Sequence, residues 1–221
     1  MANNWSEENL LSIRERAYLY LKDLILEGEL KAGDRLVERE LAEKLNISRT
    51  PIREALFRLE SQGFVKTVPR KGVIVAEISE KEILEVFTIL SSLEVLAAKL
   101  TIEKLDGDTI SKYKEYINKV EESLQNEEST DYSALHKELN HLIYSTAKNA
   151  KLYEILSGLS DYIRAFAKIG YKNEGRAIQS MKEHLDIMKA IVNKEIEMTE
   201  YLTKIHIENS KKAYTEALNK E

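Results

Sequence analysis

Apolar residues recur at helical spacing from Leu10 to about Glu27 (Ile13, Ala17, Leu21, Leu24), and Gly28 closes the segment. Gly33-Asp34 reads as a turn, and Val37 to Leu45 as a short second helix with Leu41 and Leu45 facing inward. Asn46-Ile47 make the next break, and Ser48 is placed to cap a third helix running to about Gln62. Pro51 suits the first turn of that helix, where an N–H would have no intrahelical acceptor. After Gly63 the period changes. Phe64 to Val68 and Gly72 to Ala76 read as two strands, joined as a β-hairpin through Pro69-Arg70-Lys71. Two short helices joined by a tight break, with a helix before and a hairpin after, make a winged helix-turn-helix.

From Ser79 onward the pattern is helical throughout. Ser79-Glu80-Lys81-Glu82 fits a capping box, and the helix it opens runs through Ile83, Val86, Phe87, Leu90, Leu93 and Leu96 to about Lys104. Gly107 breaks that run. Further segments over about 109–126, 131–147, 150–169, 175–192 and 195–219 are separated by short polar breaks. Such short connections make neighbouring helices antiparallel. The expected architecture is therefore mainly α. A winged helix-turn-helix of three helices plus a β-hairpin wing occupies residues 1–77, and an all-α bundle of six to seven helices occupies 78–221.

Composition narrows the classes. A chain of 221 residues allows one or two domains, and 43% apolar with 32% charged residues is enough to form cores. The absence of cysteine excludes disulfides, a thiolate nucleophile and cysteine-bound zinc. No apolar run approaches the roughly 18 residues needed to span a bilayer, and Met1 to Asn9 carry no signal pattern. The expected compartment is the cytoplasm, with no membrane partner. The net charge of −5 divides unevenly: +1 up to Ala76 and −6 from Glu77 onward. Eight of the ten arginines precede residue 71, and from Asn46 to Gly72 six basic residues face only Glu54 and Glu60. A basic stretch on an acidic chain fits an acidic partner met by one face.

The third helix is stocked for DNA. Arg49 and Arg53 are four apart and share one face, while Ala55, Leu56 and Leu59 line the opposite side. Ser48 and Thr50 add neutral donors at the helix N-terminus, where backbone N–H groups favour phosphate. A guanidinium fork can bind guanine O6 and N7 in the major groove or clamp a phosphate. At the wing tip, Arg70 and Lys71 can reach a neighbouring groove or backbone.

The stretches Gly33-Asp34-Arg35-Leu36, Glu40-Leu41-Ala42, Ser48 to Leu56, Leu59-Glu60, Gly63-Phe64-Val65 and Arg70-Lys71-Gly72 resemble the DNA-binding domain of the GntR family of bacterial transcription regulators. The match runs over roughly 65 residues. The resemblance implies that Arg39, Ser48, Arg49, Thr50 and Arg53 contact operator DNA. It also implies that Gly72 lets the wing approach the minor groove.

Histidine is rare in the second half, and its placement is informative. His184 lies on the stripe Ile178, Met181, His184, Met188, Ile191, and His206 on the stripe Leu202, His206, Asn209, Ala213. With a turn near Asn193-Lys194-Glu195, each is about 11 residues, or roughly 16 Å of helix rise, from it. An antiparallel pair holds both at one level. His136 and Asn140 share an inward face with Leu139 and Ile143 on a third helix. Three converging imidazoles make a nitrogen-type site suited to zinc or nickel, and each alone also reads as a hydrogen-bonded core residue.

This half resembles the FCD class of effector-binding domains found in one GntR branch. Those domains often hold a metal through an aspartate and a histidine four apart plus two later histidines 22 apart. The resemblance implies the later pair at His184 and His206. Counted back from Asn149-Ala150-Lys151-Leu152, it puts the aspartate at His136 and the first histidine at Asn140, so both early positions depart from the pattern. Leu90 stands where many members carry an arginine for an acidic effector. The ligand class implied is a small carboxylic acid, with Arg164 and Arg176 as the remaining arginines that could meet an anion.

The function that follows is that of a homodimeric transcription regulator. It binds double-stranded operator DNA with an affinity controlled by a small-molecule effector in the helical domain. Two alternatives stay open at this point. One is a metal-responsive regulator in which the ion is the effector. The other is a metal-dependent hydrolase using Glu183 or Glu138 as base, although the chain has no phosphate loop or nucleophile elbow.

Overall fold

The computed structural model of the protein describes residues 11–125, 131–166 and 175–219. The expectations for Met1 to Leu10, residue 126 and residues 167–169 lie outside the described residues. The chain divides into two compact units, Met1–Ser79 and Glu80–Glu221.

In the first unit, α1 (Ile13–Glu27) packs on α3 (Arg49–Ser61), with the short α2 (Glu38–Leu45) against α3. The seam is apolar: Ala17, Leu21 and Ile25 of α1 meet Ile52, Leu56 and Leu59 of α3, all buried. Left-handed residues end the first two helices where the sequence places breaks, at Gly28 (φ 80°) and Asn46 (φ 52°). Both residue types tolerate that conformation. Gly63 (φ 79°) follows α3 in the same way. Ser48 occupies the position before α3 in extended conformation, but its hydroxyl makes no capping bond. The predicted inward face of Leu41 is corrected: Leu41 is half-buried, while Ala42 and Leu45 carry the inner face of α2, and Ile13 at the start of α1 is exposed.

The wing has a third strand that the hydrophobic pattern does not reveal. β1 (Arg35–Leu36) pairs antiparallel with β3 (Gly72–Val75), which also pairs with β2 (Val65–Val68), giving the order β1-β3-β2. Two residues are too few to display an alternation.

The second unit contains six helices among the described residues: α4 (Glu80–Lys104), α5 (Gly107–Gln125), α6 (Tyr132–Thr146), α7 (Ala150–Phe166), α8 (Arg176–Val192) and α9 (Ile196–Leu218). The long α4 packs against α6, α7 and α9, and α8 packs against α5 and α9. Gly107 does not act as the breaker. It opens α5, and the break is made by Asp106, whose carboxylate accepts from Thr109 N while its own N–H donates to Thr109 Oγ1, both at 2.8 Å. The inner stripe of α4 is also rotated from the predicted one. Ile83, Phe87, Leu90, Ala97, Ala98 and Thr101 are buried, Leu93 is half-buried and Leu96 exposed. Glu94 lies on that inner stripe.

Candidate functional site

In the first unit, Arg39, Ser48, Arg49, Thr50, Arg53, Arg70 and Lys71 are all exposed, and Gly72 is half-buried. Arg49 makes no hydrogen bond or ion pair among the described residues. Arg53 does: its Nη2 and Nε reach the Glu38 carboxylate at 2.9 and 3.1 Å. The bond from Arg53 holds the Glu38 carboxyl below its ordinary range. Arg39 sits only loosely against Glu43, at 3.8 Å. At the wing tip, Lys71 N donates to Val68 O at 3.1 Å, and Arg70 has φ 67°. With proline before it, this is a type II turn whose third position favours glycine, yet it carries arginine. Gly72 also has positive φ, 83°. A Cβ there would meet the Arg35 guanidinium no closer than 3.8 Å, so backbone conformation rather than space calls for glycine.

In the second unit, three helices bring three imidazoles together. His136 of α6, His184 of α8 and His206 of α9 each offer a nitrogen, and all three lie within 4.8 Å of one another. His184 Nε2 and His206 Nε2 are 3.0 Å apart, and the His136 ring centroid is 4.7 Å from that of His184. Their level match follows from nearly equal distance to the α8–α9 turn. Burial, followed by the charges of His206, Arg164 and Arg176, pushes the His136 pKa down to about 3. Burial likewise holds His184 well below its ordinary value. Neutral imidazoles with available lone pairs are the form a zinc- or nickel-type ion requires, so the donor set fits such an ion.

His206 Nδ1 lies 2.7 Å from Glu183 Oε2. Arg176 forks onto the same carboxylate at 3.0 and 3.1 Å, and Asn209 adds a bond at 2.8 Å. Burial acts to raise the Glu183 pKa, but the bonds from His206 and Arg176 outweigh it and hold the pKa at about 2. Arg176 is thus a buried partner of Glu183 and of Ser210. Arg164 is paired with Asp161 at 3.4 Å.

Beside the cluster is a small cavity whose polar wall is Glu94, Asn140, Tyr144, His184 and Thr203, over Ile143 and Ile187. Asn140 lines this cavity, beside His184. Neither Arg164 nor Arg176 lines it. Glu94 accepts from Tyr144 Oη at 2.7 Å. Burial raises its carboxyl, and the charge of His206 and the Tyr144 bond do not cancel that effect. The signal for Glu94 in the sequence is its spacing from Phe87, Leu90 and Ala98, which places it on the inner stripe of α4. Glu183, expected from sequence only as a hydrolytic base, has another role. It is committed to Arg176 and His206, while Glu138 is paired with Lys119 at 2.5 Å on the surface.

The gntR-family profile of bacterial regulatory proteins matches residues 13–75, and the FCD-domain profile matches residues 85–209. The uncharacterized HTH-type transcriptional regulator YdhC of Bacillus subtilis is 29% identical over 181 residues, covering 81% of each chain. The HTH-type transcriptional regulator McbR of Escherichia coli is 27% identical, covering 75% of this chain and 74% of its own. The solved structure of E. coli McbR/YncC has a TM-score of 0.79 at 22% identity, covering 95% of this chain and 100% of that one. A putative GntR regulator from Rhodococcus sp. RHA1 gives 0.70 at 20% identity, over 95% and 99%. These two structures bear on fold alone. Family members bind operator DNA and take an effector in the FCD domain; the relatives are regulators and not enzymes, which removes the hydrolase alternative. The chain belongs to the gntR family of bacterial regulatory proteins, in the branch with an FCD effector-binding domain, and is a transcription regulator.

Proposed function

We propose that the protein is a homodimeric cytoplasmic regulator that reads its operator through Arg39, Ser48, Arg49, Thr50 and Arg53, with Arg70, Lys71 and Gly72 at the wing. One zinc- or nickel-type ion is held by His136, His184 and His206, with Asn140 on the side of the effector cavity. The bound ion supplies a Lewis-acid centre for an oxygen atom of the effector. His184 carries this reading, because it belongs both to the histidine cluster and to the cavity wall. A small carboxylic acid entering there meets no arginine on the wall, so its oxygen is directed toward the histidine cluster and away from Glu94. The apolar side chains left exposed on α4 (Ile89, Leu96) and on α9 (Met198, Tyr201, Ile205) support association of two copies. Occupancy of the cavity then favours one placement of the paired DNA-binding units, and only a placement matching the half-site spacing binds tightly.

The test is operator affinity, measured by fluorescence anisotropy with promoter DNA from the protein's own locus. It is run on chelator-treated protein, on zinc-loaded protein, and on zinc-loaded protein with a panel of small carboxylic acids. Effector-dependent change only in the zinc-loaded sample supports the reading. A response to zinc alone, unaltered by any acid, makes the ion the effector. Light scattering without DNA is expected to give about twice the 25.4 kDa chain mass.

A further inference from the structure

Two consecutive residues of α8 address the two nitrogens of one imidazole on α9. Glu183 Oε2 lies 2.7 Å from His206 Nδ1, and His184 Nε2 lies 3.0 Å from His206 Nε2. The carboxylate is held from the other side as well. Its Oε1 accepts from Arg176 Nη1 at 3.0 Å and from Asn209 Nδ2 at 2.8 Å, and its Oε2 also accepts from Arg176 Nη2 at 3.1 Å. Arg176 is anchored in turn to Ser210 Oγ at 2.8 Å, one helical turn beyond His206. Guanidinium and amide nitrogens only donate, so both carboxylate oxygens are committed as acceptors. The fourth partner, His206 Nδ1, must then donate too.

We propose that Glu183, braced by Arg176 and Asn209, is the positioning residue that commits His206 to metal ligation, by keeping the imidazole proton on Nδ1 and leaving the Nε2 lone pair turned toward His184 and His136. This rests on the three-histidine reading above. A ligating histidine whose far nitrogen donates to a carboxylate has its tautomer and ring orientation fixed and its basicity raised. The same geometry reassigns Arg176. Buried and forked onto Glu183, it neutralises the carboxylate and does not wait for an anionic effector.

The decisive variant is Glu183→Gln. Its one carbonyl oxygen can satisfy the two donors at only one of the two positions: at the Oε1 position it turns the amide NH2 toward His206 Nδ1 and Arg176 Nη2, and at the Oε2 position it leaves His206 a neutral acceptor in place of a carboxylate. In the first arrangement His206 must accept and carry its proton on Nε2, the atom needed as ligand; in the second it keeps the proton on Nδ1 but loses the negative charge that raises its basicity. Zinc affinity, measured by competition with a chromophoric chelator, is expected to fall about 10- to 100-fold relative to wild type. Glu183→Asp, which keeps the acceptor and its charge, should recover most of that loss. Imidazole 15N spectra supply a readout independent of affinity: the His206 proton on Nδ1 in wild type. Equal zinc affinity in wild type and Glu183→Gln, or a wild-type His206 proton on Nε2, overturns the proposal. If wild type and His206→Ala bind zinc alike, the three-histidine reading itself has failed and the proposal falls with it. Should Glu183→Gln not fold, the wild-type spectrum decides: a His206 proton on Nε2 overturns the assignment.

Discussion

Arg53, on the exposed face of α3, is forked onto Glu38 in the first turn of α2, at 2.9 and 3.1 Å. The pair is exposed on the arginine side, so solvent screens most of its attraction. It nonetheless places a negative charge against a side chain expected to meet phosphate. Glu38→Gln should release Arg53 and tighten non-specific DNA binding by up to about fivefold, with a salt slope steeper by about one unit. Anisotropy titrations over a range of salt check this, and an unchanged slope would show that Arg53 does not neutralise a phosphate.

Arg49 makes no hydrogen bond or ion pair among the described residues, although its charge reaches the Glu38 carboxylate. If it reads a base in bidentate fashion, Arg49→Ala should weaken operator binding by about 1 to 3 kcal/mol and relax preference at one base pair. Mobility shifts with single-base operator variants separate that outcome from a uniform loss, which would mark a phosphate contact.

At the wing tip, stability and binding are expected to move in opposite directions. Arg70 occupies left-handed backbone, which costs a non-glycine residue on the order of 1 kcal/mol. Arg70→Gly should raise the melting temperature while weakening DNA binding. A variant that melts lower would mean that Arg70 packs productively in the free protein.

The start of α5 gives a pH dependence. Bonds from Thr109, backbone first and then side chain, hold the Asp106 carboxyl below its ordinary 3.8. A depressed acid contributes stability above its unfolded pKa and loses it as pH falls through the folded value. Wild type should therefore melt above Asp106→Ala at neutral pH, with the gap closing below about pH 4. A gap that persists in acid would assign the effect to packing.

Metal removal should be visible in stability. Zinc added to chelator-treated wild type is expected to raise the melting temperature, because only the folded chain presents three imidazoles together. The rise should be absent in His184→Ala and in His206→Ala. Equal shifts in wild type and variants would make the cluster a set of core histidines.

What the sequence by itself determined was whatever depends on neighbours along the chain. Gly28 and Asn46 stop helices because left-handed backbone is cheap for them, and these stops are readable one residue at a time. His184 and His206 could be brought to one level from sequence because two helices joined by a short turn fold back in register, and their rise per residue is fixed. The arginines of α3 were legible for the same reason: spacing of four defines a face.

The tertiary structure decided what depends on how one helix is rotated against another. The stripe Ile83, Phe87, Leu90 continues through Glu94 and Ala98, not through Leu96, because α4 turns that side toward α6, α7 and α9. An acidic side chain on an inner stripe becomes part of a cavity only when Asn140, Tyr144 and Thr203 arrive from other helices. β1 exists because two residues find a partner in β3, which no local pattern announces. Arg176 and Glu183, seven apart in sequence, acquire their meaning from His206, Asn209 and Ser210 on the next helix. Helical periodicity says which residues share a face; the packing of the other helices determines what that face meets, and with it which nitrogen of a histidine is left to bind.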